Sequence, residues 1–289
     1  MFFSVIIPTY NRGIQLVNAV DRVLQQDFQD FEIVIIDDGS VDNTKEIIST
    51  NFNDQRICYY YQNNTGVCSA RNKGVELSSG KYITFLDSDD EVATDWLNSF
   101  FQEINKTSPD IVFCDINTIH PQTKEIKTVQ AQYPYRKNIK TDYGLYLAGA
   151  FCIKRDMMLQ TNGFDTYLRF GEFTEWSFRL NKLQPKKSFT KKVSFTYNVS
   201  ISGGGKNNQN KIDANIYIIQ KHPDYFKKNS EVLRYYFQNI AVAYAKLNQL
   251  SNARIYFWRA YKLNLLKIKT LARMIICFFP NVADRIWKR

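Results

Sequence analysis

Cysteine is scarce: the 289 residues hold five, at 58, 68, 114, 152 and 277, with no C-x-x-C pair. An odd, scattered set argues against a disulfide framework or a zinc cluster and fits a reducing compartment. Histidine is scarcer still. His120 and His222 have no partner pattern and read as surface or core residues. No apolar run approaches the roughly 18 residues of a membrane-spanning helix; the longest candidate, from Met274 to Phe279, meets Pro280. Met1-Phe2-Phe3-Ser4 lacks a basic n-region and leads straight into a strand pattern, so no signal peptide is expected there. Biased or repetitive composition is also missing, so disordered and collagen-like architectures are excluded. Ser202-Gly-Gly-Gly-Lys206 lacks the spacing of a P-loop.

What is present is a globular composition, 44% hydrophobic and 23% charged, with net charge +10. Acids are nearly absent from the last 38 residues. Residues 252–289 hold nine basic residues (Arg254, Arg259, Lys262, Lys267, Lys269, Arg273, Arg285, Lys288, Arg289) and one acid, Asp284. The charge excess therefore sits in the tail and points to an anionic partner, a membrane surface or nucleic acid.

The first half alternates apolar strand runs with helical spacing. Strands are expected over 3–8, 31–36, 57–61, 82–86 and 111–114. Helices are expected from Ile14 to Leu24, after an Asp42 N-cap, from Val67 to Leu77, and from Trp96 to Ile104. This order implies βαβ units and a mostly parallel sheet, whose ligands bind outside the carboxyl ends of the strands. Polar loops follow strands one, two and four: Pro8-Thr-Tyr-Asn-Arg12, Asp37-Asp-Gly-Ser-Val-Asp42 and Asp87-Ser-Asp-Asp90. One such loop is an ordinary βα turn; three on one rim read as a site. Asp87 and Asp89 offer hard oxygen ligands for Mg2+ or Mn2+, which would hold a diphosphate leaving group. Asp38 can accept a hydrogen bond from a base N–H, Tyr10 offers a ring face, and Arg71 a fixed charge for phosphate or carboxylate.

These motifs, with Val34-Ile-Ile-Asp-Asp-Gly-Ser-Val-Asp42 and Asn64-Thr-Gly-Val-Cys-Ser-Ala-Arg-Asn72, resemble glycosyltransferase family 2 over about the first 115 residues. The resemblance implies an α/β A-type glycosyltransferase fold and a UDP-sugar donor. It implies that Pro8, Thr9 and Tyr10 border the nucleotide, with Arg12 closing the same motif. Asp38 would read the uracil edge, Asn64 and Arg71 line its pocket, and Asp87 and Ser88 lie along ribose and diphosphate. Asp89 would ligate the Mn2+ or Mg2+ ion. Further on, Gly171-Glu-Phe-Thr-Glu-Trp-Ser-Phe-Arg-Leu180 resembles the family's Glu-Asp segment, but Phe173 stands where the catalytic Asp usually is. Glu172 is the favoured base and Glu175 the second choice, three apart and able to share a helix face. The alternative is a non-catalytic nucleotide-sugar-binding protein.

The expected organisation is a catalytic domain over 1–230, with a nucleotide half (1–115) and an acceptor half (116–230), then a basic helical region over 231–289. Residues 117–140 read as a polar excursion over the site, and Lys206 as a candidate to close on the diphosphate. From 233 to 263 the pattern resembles a tetratricopeptide-like helix pair. The segment from Leu263 to Phe279 reads as a basic amphipathic helix, with Trp287 beyond it, at an anionic membrane surface. The expected acceptor is a glycan, in the family's manner a lipid-linked one, and the expected location is the cytoplasm or the inner face of its membrane. No nucleic-acid motif accompanies the charge, so nucleic acid is not an expected partner.

Overall fold

The computed structural model describes residues 1–120, 122–132, 144–198 and 207–287. Candidate Lys206, and the excursion from 133 to 140, lie outside the described residues. Two compact units divide the chain: residues 1–167 with 172–200, and residues 168–171 with 201–289.

The first unit is a three-layer α/β/α arrangement around one sheet. Its strands are β1 (Phe3–Thr9), β2 (Phe31–Asp37), β3 (Ile57–Tyr61), β4 (Tyr82–Phe85), β5 (Glu91–Val92), β6 (Ile111–Ile119), β7 (Ile126–Val129), β8 (Phe151–Lys154) and β9 (Lys187–Asn198). Their order is β3-β2-β1-β4-β8-β6-β9-β5, with β7 beside β6. Strands β3, β2, β1 and β4 run parallel, as does β9 with β6, whereas β8, β5 and β7 are antiparallel to their neighbours.

Strand side chains alternate between faces, which is why both layers are apolar. Val5, Ile7, Ile33 and Ile35 meet α1 (Gly13–Leu24) through Leu16, Val20 and Val23, and α4 (Trp96–Thr107) through Trp96 and Phe100. Their neighbours Ile6, Val34 and Ile36 face the opposite layer. There they join Cys68, Ala70 and Val75 of α3 (Val67–Leu77), Met158 of α5 (Arg155–Gln160), and Phe173, Trp176 and Leu180 of α6 (Glu172–Lys182). Gly74 lets α3 lie flat on the sheet: a Cβ there would fall 2.3 Å from Ile6 Cγ2.

The strand order reverses between β1 and β4, and Pro8 opens the crevice there. Ile6 C=O accepts from Leu86 N–H on the β4 side (3.0 Å), while Thr9 C=O accepts from Asp38 N–H on the β2 side (2.9 Å). By alternation the nitrogen of residue 8 faces β4, and proline has no N–H to donate. Pairing of β1 with β4 ends at Ile6–Phe85, whereas pairing with β2 runs on to Thr9–Asp37.

Helix α2 (Thr44–Asn51) starts later than expected. Asn43 occupies its cap position, and Asp42 Oδ1 instead accepts from Thr44 N–H (3.1 Å) and Oγ1 (2.5 Å).

The second unit is helical: α7 (Asn208–Lys221), α8 (Pro223–Lys228), α9 (Ser230–Lys246), α10 (Leu250–Lys262), α11 (Ile268–Ile276) and α12 (Pro280–Trp287). Helices α7 and α8, which the sequence pattern assigned to the catalytic part, group here because Ile212 of α7 packs with Ile240 and Ala243 of α9. Helices α9 and α10 form the expected pair, with Ala241, Ala245, Ala253 and Phe257 in their core. Pro280 ends the preceding turn and opens α12, because the first helical position needs no N–H donor.

Candidate active site

Loops at the carboxyl ends of β1, β2, β3 and β4 build the site. Strand alternation sends Asp37 and Asp38 to different tasks. Asp37 accepts from Ser40 N–H (2.7 Å) and from the Tyr59 hydroxyl, whose own proton is held more tightly by burial and the Asp37 charge. Asp38 Oδ1 accepts from Gln62 Nε2 (2.7 Å) and Thr65 N–H (2.9 Å), and Oδ2 from Gly66 N–H (2.7 Å). Asp38 thus fixes the loop that carries Asn64, and its Oδ2 retains a lone pair for a further donor. Gly39, with φ of 87°, is required where the two loops meet: a Cβ would lie 2.7 Å from Asn64 N. Asn11 laces the first two loops, its N–H donating to Ser40 Oγ (2.8 Å) and its Oδ1 accepting from Val41 N–H (2.8 Å). Tyr10 stands exposed beside this pair, and the Thr9 hydroxyl, buried, has no hydrogen-bond partner among the described residues.

Arg71 is the centre of the site. It is 3% exposed, and its Nη2 donates to Asp87 Oδ1 (2.8 Å) while Nη1 donates to Glu172 Oε1 (2.9 Å). Burial opposes the Arg71 charge, and the two carboxylates more than offset that, so it stays protonated. Its guanidinium carbon lies 4.7 Å from the Phe173 ring centroid. The sequence left Arg71 open to phosphate or carboxylate; its partners are carboxylates.

The Asp87–Asp90 turn carries the acidic cluster. Asp89 Oδ2 pairs with Arg12 Nη1 (3.0 Å). Asn198, at the end of β9, clamps the turn: its N–H donates to Asp90 Oδ1 (2.9 Å) and its Nδ2 to Asp89 C=O (3.0 Å). Ser88 is buried between them. Burial, with the Asp87 and Asp89 charges beside it, pushes Asp90 up to about 9, and Asp90 Oδ2 is buried with no partner among the described residues. Among the described residues no group of three or more His, Cys, Asp or Glu side chains is placed to hold a metal ion by itself. Hard carboxylate oxygens, one of them orphaned, fit a Mg2+ or Mn2+ ion that completes its shell with substrate phosphates.

The two candidate bases separate. Glu172 opens α6, partly exposed, on Arg71. Glu175 has 0% exposure, and Arg179 grips both its oxygens (Nε to Oε1 3.0 Å, Nη2 to Oε2 2.7 Å) while also donating to Thr161 C=O. Glu175, the second candidate base, is a buried ion-pair partner of Arg179. Phe173 is core, edge-on to Phe85, Phe151 and Phe164. Sequence reasoning missed Asn198, Gln62 and Thr65. Asn198 lies on a strand with a weak polar pattern, Thr65 stands within the Asn64 run but was given no role, and Gln62, two residues before that run, could have been read as part of its loop.

The chain belongs to glycosyl transferase family 2, whose family model matches residues 4–168. Glycosyltransferase GlyG of Streptococcus pneumoniae is 38% identical over 111 residues, 38% of this chain and 37% of that protein. A Campylobacter jejuni protein, the GalNAc(5)-diNAcBac-PP-undecaprenol beta-1,3-glucosyltransferase, is 39% identical over 106 residues, 36% of this chain and 34% of its own length. The matched region thus spans little more than a third of either relative. In fold the chain is similar to Staphylococcus aureus TarS (residues 1–349), with TM-score 0.69 and 17% identity over 98% of this chain and 88% of that one. TarS has also been solved with UDP-GlcNAc. A mannosyltransferase of Pyrobaculum calidifontis, solved with GDP-Man and Mn2+, is similar in fold at TM-score 0.60 and 16% identity, over 99% of this chain and 87% of that one. The family match and these likenesses give the chain an A-type glycosyltransferase fold.

Proposed function

We propose that this glycosyltransferase transfers a hexosyl or N-acetylhexosaminyl unit from a UDP-sugar to an acceptor hydroxyl with inversion at the anomeric carbon. One observation carries the reading: Arg71 bridges Asp87 and Glu172, which supports Glu172 as a carboxylate beside the rim loops although Phe173 stands at the usual base position. Pro8, Thr9, Tyr10, Arg12, Asp38, Asn64, Arg71, Asp87 and Ser88 form the donor site. Within it the unpartnered Thr9 hydroxyl and the remaining lone pair of Asp38 Oδ2 are the groups best placed to bond the nucleoside.

Asp89, with the orphaned oxygen of Asp90, would hold the divalent ion. When bound, the ion supplies positive charge that stabilises a departing diphosphate. Glu172 takes the acceptor's hydroxyl proton as that oxygen bonds to the anomeric carbon. The bond from this carbon to the diphosphate oxygen breaks on the opposite side, and UDP leaves with the electron pair. Arg71 keeps Glu172 aimed through the 2.9 Å bond from its Nη1.

The proposed acceptor is a growing surface polysaccharide or lipid-linked glycan, supported by the undecaprenol-linked substrate in the name of the Campylobacter relative. No described helix is long and apolar enough to cross a membrane. The proposed setting is peripheral, on the cytoplasmic face of an anionic membrane, supported by the basic excess in residues 252–289.

The test is a screen of UDP- and GDP-sugars with Mn2+, reading binding and donor hydrolysis. A UDP-sugar that binds and turns over is expected. Selective binding of GDP-sugars would refute the donor assignment. Binding of a UDP-sugar without turnover, with any acceptor supplied, would instead favour the non-catalytic reading that Phe173 motivates.

A further inference from the structure

The basic tail is not uniform. Its first part is tied to its own unit. Arg254 Nη1 donates to Cys277 C=O (3.0 Å), and its guanidinium covers the Phe278 ring at 4.6 Å. Arg259 lies over Tyr256 (5.1 Å), and the Trp287 ring stacks on Phe257 with centroids 6.0 Å apart. Trp287, an aromatic the sequence offered to a membrane, is therefore an internal contact.

Residues 265–286 differ. The turn between α10 and α11 presents Leu265, Leu266 and Ile268 at 60%, 89% and 73% exposure. Helix α11 turns Thr270 and Cys277 inward. Ile268, Ala272, Ile275 and Phe279, spaced four, three and four apart, fall on the opposite, exposed side. After the next turn, Val282 and Ile286 are exposed four apart on α12. Single exposed apolar residues need no explanation, but an aliphatic stripe with an apolar turn at each end marks an interaction surface. Lys267, Lys269, Arg273 and Arg285 border it, all exposed, against the single acid Asp284.

We infer that this stripe, from Leu265 to Ile286, seats in the headgroup region of an anionic bilayer with α11 lying in the membrane plane. The inference rests on the proposed membrane setting and narrows it from 252–289 to this surface. Charge selects the occupant. A second copy docking stripe to stripe would bring like charges together, whereas anionic headgroups complement the basic border while the aliphatic side chains enter the acyl boundary.

The full chain is sedimented with phosphatidylcholine vesicles, with and without phosphatidylglycerol. Binding that requires the anionic lipid is expected. Leu266→Asp combined with Ile268→Asp should lower partitioning at least ~10-fold, since two buried aliphatic chains are lost. Lys269→Glu combined with Arg273→Glu should abolish the preference for phosphatidylglycerol. Ile126→Ser, at an exposed apolar site on β7, should change nothing. All replaced side chains are exposed, and thermal melts matching the parent establish folding. Unchanged binding by the double aspartate variant, or a parent that binds neither vesicle, overturns the inference. A parent dimer dissolved by Leu266→Asp would also overturn it by assigning the stripe to a second copy. Donor hydrolysis in free solution is measured in parallel: a parent that hydrolyses a UDP-sugar but ignores vesicles defeats the lipid surface and leaves the transferase reading intact.

Discussion

Glu172→Gln removes a negative charge and a proton acceptor while keeping the shape of the side chain. The Gln carbonyl can still accept from Arg71 Nη1, now 2.9 Å from Glu172 Oε1, and Arg71 keeps Asp87. The stability cost is the difference between a charged and a neutral hydrogen bond, about 1 kcal/mol, or roughly 2–4 °C in Tm for a chain of this size. The catalytic cost is far larger. A general base is worth about 10²–10⁴ in rate, so kcat should fall by that factor with donor affinity little changed. Glu175→Gln should do the reverse. It breaks an ion pair whose carboxylate is fully buried and whose Arg179 is partly exposed, which costs about 3 kcal/mol and lowers Tm by roughly 6–12 °C, while the folded fraction turns over like the parent. Steady-state transfer, donor titration calorimetry and thermal melts on the two variants give all the values. Full turnover in Glu172→Gln, or lost turnover at parental Tm in Glu175→Gln, would refute the assignment of roles.

Phe173→Asp, which restores the family's usual residue, should not restore a base. It puts a carboxylate among Phe85, Phe151 and Phe164, at a cost of about 3–5 kcal/mol, seen as a large drop in Tm without a gain in kcat. Gly39→Ala should weaken UDP-sugar binding in titration calorimetry. The residue has φ of 87° and no room beside Asn64 N, and the strain of roughly 1–3 kcal/mol falls on the donor loops. Glu32 is buried, which raises its pKa, but bonds from the Ser4 hydroxyl and from Ser79 outweigh that and hold it below the usual carboxylate range. A depressed pKa means stability present above about pH 4.3, the ordinary Glu value, and lost as pH falls through the folded value. Melts of Glu32→Gln should therefore show a smaller loss of Tm on acidification than the parent.

The elements most legible in the sequence were those buried on both faces. The runs at Val5–Ile7 and Ile33–Ile36 read as strands because each side chain meets a helix layer. Strand β9 was missed because its polar residues alternate weakly along Lys187–Asn198, and Asn198 was missed with it. The rim loops were legible from their residue types, since Asp, Gly and Asn recur where strand ends turn. Partners were not. Glu175 pairs with Arg179 four residues on, a spacing visible on a helix. Glu172 finds Arg71 at a separation of 101 residues, which no local pattern encodes. Burial decides between the two roles, and burial is a property of the packed α6.

That long separation also orders the making of the protein. Arg71 and Asp87 leave the ribosome together, 16 residues apart, and their pair can form within the nascent N-terminal part. Glu172 is translated some 85 residues later, a delay of roughly 4–17 s at ordinary synthesis rates. During that interval a nascent chain already has the rim loops while its proposed proton acceptor does not yet exist. The proposed donor pocket thus acquires its loops before its proposed base, and on that reading synthesis itself withholds reactivity until α6 docks.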